Sequence, residues 1–390
     1  MSLTKERTDH KSSASGDREF ELFPHEAATR RWVLSPAVVL VILLSVFPLI
    51  ISAYLAFSRF KFVAGGFEIV WIGLGNFRKL LTGSQSRRFL GAAAPMPWWG
   101  WALLAAFVGG MVFDWIRALR RSAGRVSAAA RVRISAARLV TTIIGAVLLA
   151  LVIRTLQPGG FPGTVVVTLV FVVVGVFFQY LIGLSLALAA SQRLRGKRFF
   201  RTVFLIPMTI TPVGAAYVFR MISDTGKGPL EPLWALIFGR GEFTWVQSPW
   251  GARIAIIIAD TWQWTPFMFI ILLAAVEGVP DSLLEAAKVD GAGVWEQFRK
   301  ITFPLILPVS LTLILIRFIE AFKIIDLPQV LTGGGPGTAT ESLALQAVYE
   351  WRGINLGGSA AISYALLVLT TFFGLVLVTV GRRRALAQIG

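Results

Sequence analysis

The sequence has no cysteine and only two histidines, His10 and His25, both near its start. Disulfides, iron–sulfur clusters and thiolate chemistry are therefore excluded. Beyond residue 25 there is no imidazole to ligate haem or a metal, so no metal site is expected. No G-x-x-x-x-G-K-[ST] string occurs, so the chain has no phosphate-cradling loop of its own. Charge is scarce too: 15% of the 390 residues are charged, against about 25% in a soluble domain. Energy for any uphill work must then come from a partner or an ion.

What is present is apolar. Hydrophobic residues make up 55% of the chain and fall in long uncharged runs separated by blocks of charge. A bilayer core about 30 Å thick takes about 20 apolar residues in a helix rising 1.5 Å per residue. Eight runs suit that length: 32–57, 98–116, 139–155, 164–190, 202–222, 253–276, 304–325 and 359–380. The fold class expected is all-α integral membrane, with about eight transmembrane helices. Residues 1–31 form a polar tail with six basic and six acidic residues, too charged for a signal peptide. The first run should therefore stay as an anchor.

The net charge of +17 has two readings. Nucleic-acid binding would need the basic residues on one face, whereas here they border apolar runs. Cytoplasmic loops of membrane proteins carry excess Lys and Arg. With the N-terminus inside, the inside segments (1–31, 117–138, 191–201, 277–303, 381–390) hold 24 basic residues and the outside segments hold 9. Both termini are therefore expected in the cytoplasm. Segment 58–97 disagrees, with six basic residues against Glu68. The resulting organisation is a tail (1–31), a first transmembrane helix (32–57) and an external loop (58–97). An extra helical hairpin with a basic linker (98–163), a core (164–380) and a basic tail (381–390) follow. The hairpin at 98–155 either spans the membrane or lies as two interfacial helices on anionic lipid.

The cytoplasmic segment 280–303 is amphipathic. Ser282 and Glu285 fit a capping box that would start a helix. Leu283, Leu284, Ala286, Ala287 and Val289 give it an apolar side, and Gly291 suits a helix stop. Trp295, Phe298 and Ile301 share one side of a second short helix, and Pro304 can open the next span. Two readings fit this side: a loop resting on lipid headgroups, or a knob for a soluble partner.

Glu285-Ala286-Ala287, Asp290-Gly291-Ala292, Phe298, Ile301 and Pro304 resemble the EAA loop of binding-protein-dependent ABC importer permeases. Trp262-x-Trp264-Thr265-Pro266-Phe267, Asp326-Leu327 and Leu331-Thr332-Gly333-Gly334-Gly335-Pro336-Gly337 are similar to the maltose-type branch, which imports sugars and, in some members, polyols or glycerol phosphodiesters. Leu74-Gly75-Asn76-Phe77 is a weaker match. The resemblance covers about 200–380, and 85–160 departs from it. It implies an ABC ATPase dimer that binds ATP-Mg and grips the loop, leaving the permease with no cofactor and no enzymatic activity. Glu285, Ala286, Ala287, Asp290 and Gly291 would carry this coupling. It also implies a second permease subunit, an extracytoplasmic solute-binding protein and a place in the inner (plasma) membrane of a bacterium or archaeon.

Ionisable residues inside spans cost about 2.5–3.5 kcal/mol each at a helix centre and need a reason. Asp260, Gln263, Trp264 and Phe267 recur at i, i+3, i+4 and i+7, on one helical face. A carboxylate, an amide and two rings suit a sugar; the alternative is an aromatic belt, with Asp260 near the outer interface. In the next span, Arg317–Glu320 and Glu320–Lys323 are i, i+3 pairs that can neutralise one another. The resemblance implies substrate-pathway contacts at Asp260, Gln263, Trp264, Phe267, Glu320, Ala321 and Ile324. The glycine-rich 333–337 stretch lacks a following Lys and reads as an external turn. With aromatic Trp234, Phe243, Trp245 and Trp250, it could meet a binding protein. Two rival functions remain. An ion-gradient-driven transporter could use Asp260 and Glu320. A membrane enzyme would need a cluster of catalytic groups that these spans lack.

Overall fold

The structure, a computed structural model, describes residues 34–122, 128–192, 197–224, 228–238 and 245–389. The polar tail, Phe243 and the side chains of Trp234 and Trp245 lie outside the described residues. The chain divides into two units, Met1–Tyr54 and Leu55–Gly390. The described part of the first, residues 34–54, belongs to helix α1 (Leu34–Ala56), apolar and exposed along most of its length.

The second unit begins with an antiparallel hairpin, β1 (Ser58–Val63) and β2 (Gly66–Trp71), followed by the short α2 (Gly75–Leu81). Buried Asn76 fixes this corner. Its Nδ2 donates to the carbonyls of Ala56 and Ser58, at 2.9 and 2.8 Å. Those carbonyls would otherwise be unsatisfied where a helix gives way to a strand.

Helices α3 (Trp98–Ser122) and α4 (Ala128–Leu156) form a hairpin. They pack where Gly145 faces Phe107: a Cβ on Gly145 would stand 2.7 Å from the ring. Both are long and apolar enough to cross a membrane.

The core is built on α5 (Thr164–Ser191) and α8 (Pro249–Glu277). Their close approach is written as glycine on α5. A Cβ on Gly183 would meet the Met268 Cβ at 2.6 Å, and one on Gly175 would meet Asp260 Oδ2 at 3.2 Å. Small residues of this kind let membrane helices approach backbone to backbone. Helix α8 starts four residues earlier than the apolar run suggests. Ser248 Oγ accepts from the Gly251 amide and Pro249 opens the first turn.

The fifth run is not one straight helix. Helices α6 (Lys197–Thr209) and α7 (Pro212–Ile222) meet at 97°. Pro207 removes a donor from the last turn of α6, and Pro212 opens α7 at a position whose N–H would have no helical partner. Thr211 caps α7 by accepting from the Gly214 amide. Gln263 Nε2 donates to the freed Ile210 carbonyl at 3.3 Å. A break at membrane depth is tolerated where other protein groups satisfy it in this way.

After α8 the chain makes α9 (Asp281–Val289) and then α10 (Val294–Ala321). Two expectations fail here. The capping box does not form: α9 starts at Asp281 with Pro280 as its N-cap, and no side chain caps it. Pro280 already holds φ at −61°, so the helix begins one residue ahead of Ser282. Nor does Pro304 open a span. Helix α10 is continuous from Val294, with a π turn over Phe298–Thr302. The wide turn closes through the Phe303 amide onto Phe298 O, immediately before the residue that has no N–H to give. Helices α11 (Leu343–Arg352) and α12 (Leu356–Ile389) complete the chain.

Candidate functional site

Three helices converge on a buried ionic triangle. Arg317 of α10 is 1% exposed. Its Nη2 donates to Asp260 Oδ2 on α8 at 2.6 Å, and its Nε donates to Gln179 Oε1 on α5 at 2.8 Å. Gln179 Nε2 closes the figure by donating to the same Asp260 oxygen at 2.7 Å. Each member is thus held by the other two. This arrangement lets charges persist at membrane depth, where an isolated ion would cost several kcal/mol. The Arg317 guanidinium also lies 4.6 Å from the Trp264 ring centroid, within cation–π range. Trp264 in turn stands edge-on to Phe267, at 6.2 Å and 89°.

Beside the triangle is a polar cavity of about 250 Å³. Six of the seven expected pathway residues line it: Asp260, Gln263, Trp264, Glu320, Ala321 and Ile324. Phe267 does not; it packs against the main hydrophobic core. Asp260 is 4% exposed and lies in the middle part of α8. The Arg317–Glu320 pair does not form as expected. Arg317 reaches across to α8, while Glu320 is bonded by exposed Lys323 at 2.8 Å. Gln263 is the residue with capacity to spare, since its Oε1 is buried with no hydrogen-bond partner.

Sequence reasoning missed Gln179, and Lys323, Asp326 and Pro212 of the cavity wall. For Gln179 the signal was available: a lone amide in the middle of an apolar run.

At one end of α8 and α10 lies the loop that resembles the EAA motif. Its bend is a Schellman turn. Gly291 has φ of +83°, its amide bonds Lys288 O, and the Ala292 amide bonds Ala287 O. Leu284, Phe298 and Ile301 pack inward on the core. Glu285, Ala286 and Asp290 are exposed, Ala287 is half-buried, and Val289, Val294 and Trp295 are 89%, 85% and 71% exposed. The result is a rigid elbow with an uncovered apolar surface.

At the far end of α10, Gly333, Gly334 and Gly337 all take positive φ, as a turn of this composition should. Tyr349 donates to Gly333 O, and Thr340 to Gly335 O. Glu341 anchors the neighbouring segment through Arg88, at 2.7 Å. Burial pushes the Glu341 carboxyl above the ordinary glutamate value, and Arg88 opposes that shift. Of the aromatic set, Trp250 is half exposed, with Arg253 over its ring.

The family model described as the binding-protein-dependent transport system inner membrane component matches residues 179–385, more than half of the chain. The chain belongs to this family. It is a membrane-embedded ABC importer permease, with seven helices among the described residues long and apolar enough to cross a membrane, and one broken pair besides. A trehalose/maltose transport system permease protein of Thermococcus litoralis is 37% identical over 233 residues, covering 60% of this permease and 78% of the relative. An sn-glycerol-3-phosphate transport system permease protein of Yersinia pestis is 32% identical over 209 residues, covering 52% and 68%. Among solved structures, a bacterial ABC transporter that imports the acidic polysaccharide alginate aligns with a TM-score of 0.63 at 17% identity. That alignment covers 92% of this permease and 98% of the other chain.

Proposed function

We propose that this permease passes a neutral, hydroxyl-rich sugar along a path that includes the cavity between α8 and α10. The lining carries the reading. Three carboxylates (Asp260, Glu320, Asp326) stand against two cations (Arg317, Lys323), a formal balance of −1. Such a wall disfavours an anionic phosphodiester or acidic saccharide. It offers the free Gln263 Oε1 to a hydroxyl donor and the Trp264 ring to sugar C–H groups.

Movement would be driven from the elbow. An ATP-hydrolysing subunit gripping Glu285, Ala286 and Ala287 would turn α9, and Gly291 would pass that motion to α10, which carries Arg317 and Glu320. ATP and Mg would be bound by that partner. A second permease chain would complete the path, and a solute-binding protein would deliver the sugar near the glycine-rich turn. An ion-gradient mechanism is less well supported. Its best carboxylate, Asp260, is already held by Arg317 and Gln179.

The test is solute-stimulated ATPase activity of the full importer in proteoliposomes. A neutral disaccharide should stimulate it, and a glycerol phosphodiester should not; the opposite preference would overturn the substrate assignment. Uptake that collapses with a protonophore but ignores loss of ATP hydrolysis would overturn the energy source.

A further inference from the structure

The α3–α4 hairpin is tied to the core mainly at one end. There Arg154 Nε donates to the Ala94 carbonyl, the Ala94 amide bonds Arg154 O, and two short strands pair Gly91–Ala92 with Phe161–Pro162. Between Thr141 and Leu156 a groove of about 450 Å³ opens beside the contacts that Leu148, Leu151 and Val152 make with the core. Phe107 and Met111 of α3, Leu149 of α4, Val173 of α5, and Phe372 and Val376 of α12 line it. Its one polar lining side chain, Thr141, is satisfied, since Oγ1 donates to Ala137 O at 2.8 Å. No side chain in this groove has a proton left to donate to a ligand.

Its dimensions select the occupant. Thr141 and Leu156 both line it, so at 1.5 Å per residue it is about 22 Å long. An apolar trough of that length suits an extended hydrocarbon chain, which needs no hydrogen-bond partner along it.

Charge identifies the other end of that chain. The groove's Thr141 end leads to the first turns of α4, where Arg138 lies three residues before Thr141 and donates to the Asp114 carbonyl. Exposed Arg117 and Arg120 stand on the last turns of α3, and exposed Arg133 on the first turns of α4. Residues 117–138 contain seven arginines and no acidic residue. We propose that the groove is a binding site for one anionic phospholipid, with an acyl chain between hairpin and core and the headgroup phosphate among Arg117, Arg120, Arg133 and Arg138. The lipid fills the seam that protein packing leaves open, and so joins the hairpin to the permease core.

The test uses the full importer in nanodiscs. Phosphatidylglycerol should raise the melting temperature of the wild-type complex by several degrees over phosphatidylcholine, and should survive detergent extraction as a bound lipid by native mass spectrometry. Phosphatidylglycerol with a photoreactive acyl chain should label peptides containing Met111 or Leu149. Val173→Trp, which fills the groove from an exposed position, should remove both the retained lipid and the labelling. The combined Arg117→Gln, Arg120→Gln, Arg133→Gln variant should keep the labelling but lose the preference for phosphatidylglycerol. Equal retention of both lipids by the wild type would overturn the proposal. So would labelling confined to other helices, or the same stabilisation by inorganic phosphate in detergent. The wild-type arms need no variant to fold.

Discussion

Two pairs of spans in this permease are built from similar composition and meet opposite fates. In the hairpin, Trp98–Arg120 and Ser135–Leu156 are 0% and 6% buried within the chain. In the core, Thr164–Ser191 and Pro249–Glu277 are 56% and 61% buried. Apolarity does not sort them, because the most buried span, Pro249–Glu277, is the least apolar of the seven. Polar residues at mid-helix do. The core spans carry Gln179, Asp260 and Gln263 deep inside, whereas the charged residues of the two hairpin spans, Asp114, Arg117, Arg120, Arg138 and Arg154, lie toward their ends. A charge survives at membrane depth only where a neighbouring helix brings a partner. The interior of this protein is thus marked by what hydropathy counts against it.

The largest effect should come from the core's working end. Glu285→Lys reverses an exposed charge, so stability should stay within about 0.5 kcal/mol. Transport and solute-stimulated ATPase activity should fall to background. Normal uptake in that variant would remove the elbow from the coupling path. Next is the triangle. Arg317→Met alone leaves Asp260 buried without a counter-charge, and should cost about 3–5 kcal/mol in detergent unfolding. Adding Asp260→Asn should recover most of that loss, while Arg133→Met in the hairpin linker should change little. If the double variant is no more stable than the single one, the ionic triangle does not distinguish core from hairpin. A third test removes residues 98–155 as a unit. The flanking segments already meet through the short strand pair and through Gln157, whose Nε2 donates to the Pro95 carbonyl. The core spans should therefore keep their order, with an epitope at the C-terminus on its original side; a flipped epitope would show that the hairpin sets the topology.

Much of this arrangement is written locally, and that part was legible. Apolar runs give the spans to within a few residues, except where α10 starts ten residues ahead of Pro304. Gly291 announces the elbow, and the glycine-rich turn is a turn. The helical spacing of Asp260, Gln263 and Trp264 places them on one cavity wall. What was not legible depends on distant partners. Arg317 has Glu320 three residues away, yet it bonds Asp260 and Gln179, 57 and 138 positions distant. Local spacing offered the nearer charge; burial of α10 against α5 and α8 made the farther ones available. Phe267 shares the face of Trp264 by helical period, but core packing takes it. The 97° break in the fifth span needs both its prolines and an amide from Gln263 to be tolerable, and only the prolines are visible in the local sequence.

The smallest effects sharpen the comparison most, because they use the same substitution in both regions. Gly183→Ala puts a methyl group 2.6 Å from the Met268 Cβ and 3.1 Å from the Phe269 backbone nitrogen. Neither neighbour is the free end of a flexible side chain, so α5 and α8 must separate, at a cost of about 1–3 kcal/mol. Gly110→Ala in the hairpin meets nothing within 4 Å. It should gain up to about 1 kcal/mol through helix propensity alone. Thermal unfolding of the two variants side by side should therefore show shifts of opposite sign. Equal destabilisation would mean that a neighbouring chain or a lipid packs against the Gly110 face as tightly as α8 packs against α5, and the hairpin would then be an interior element of the assembled importer.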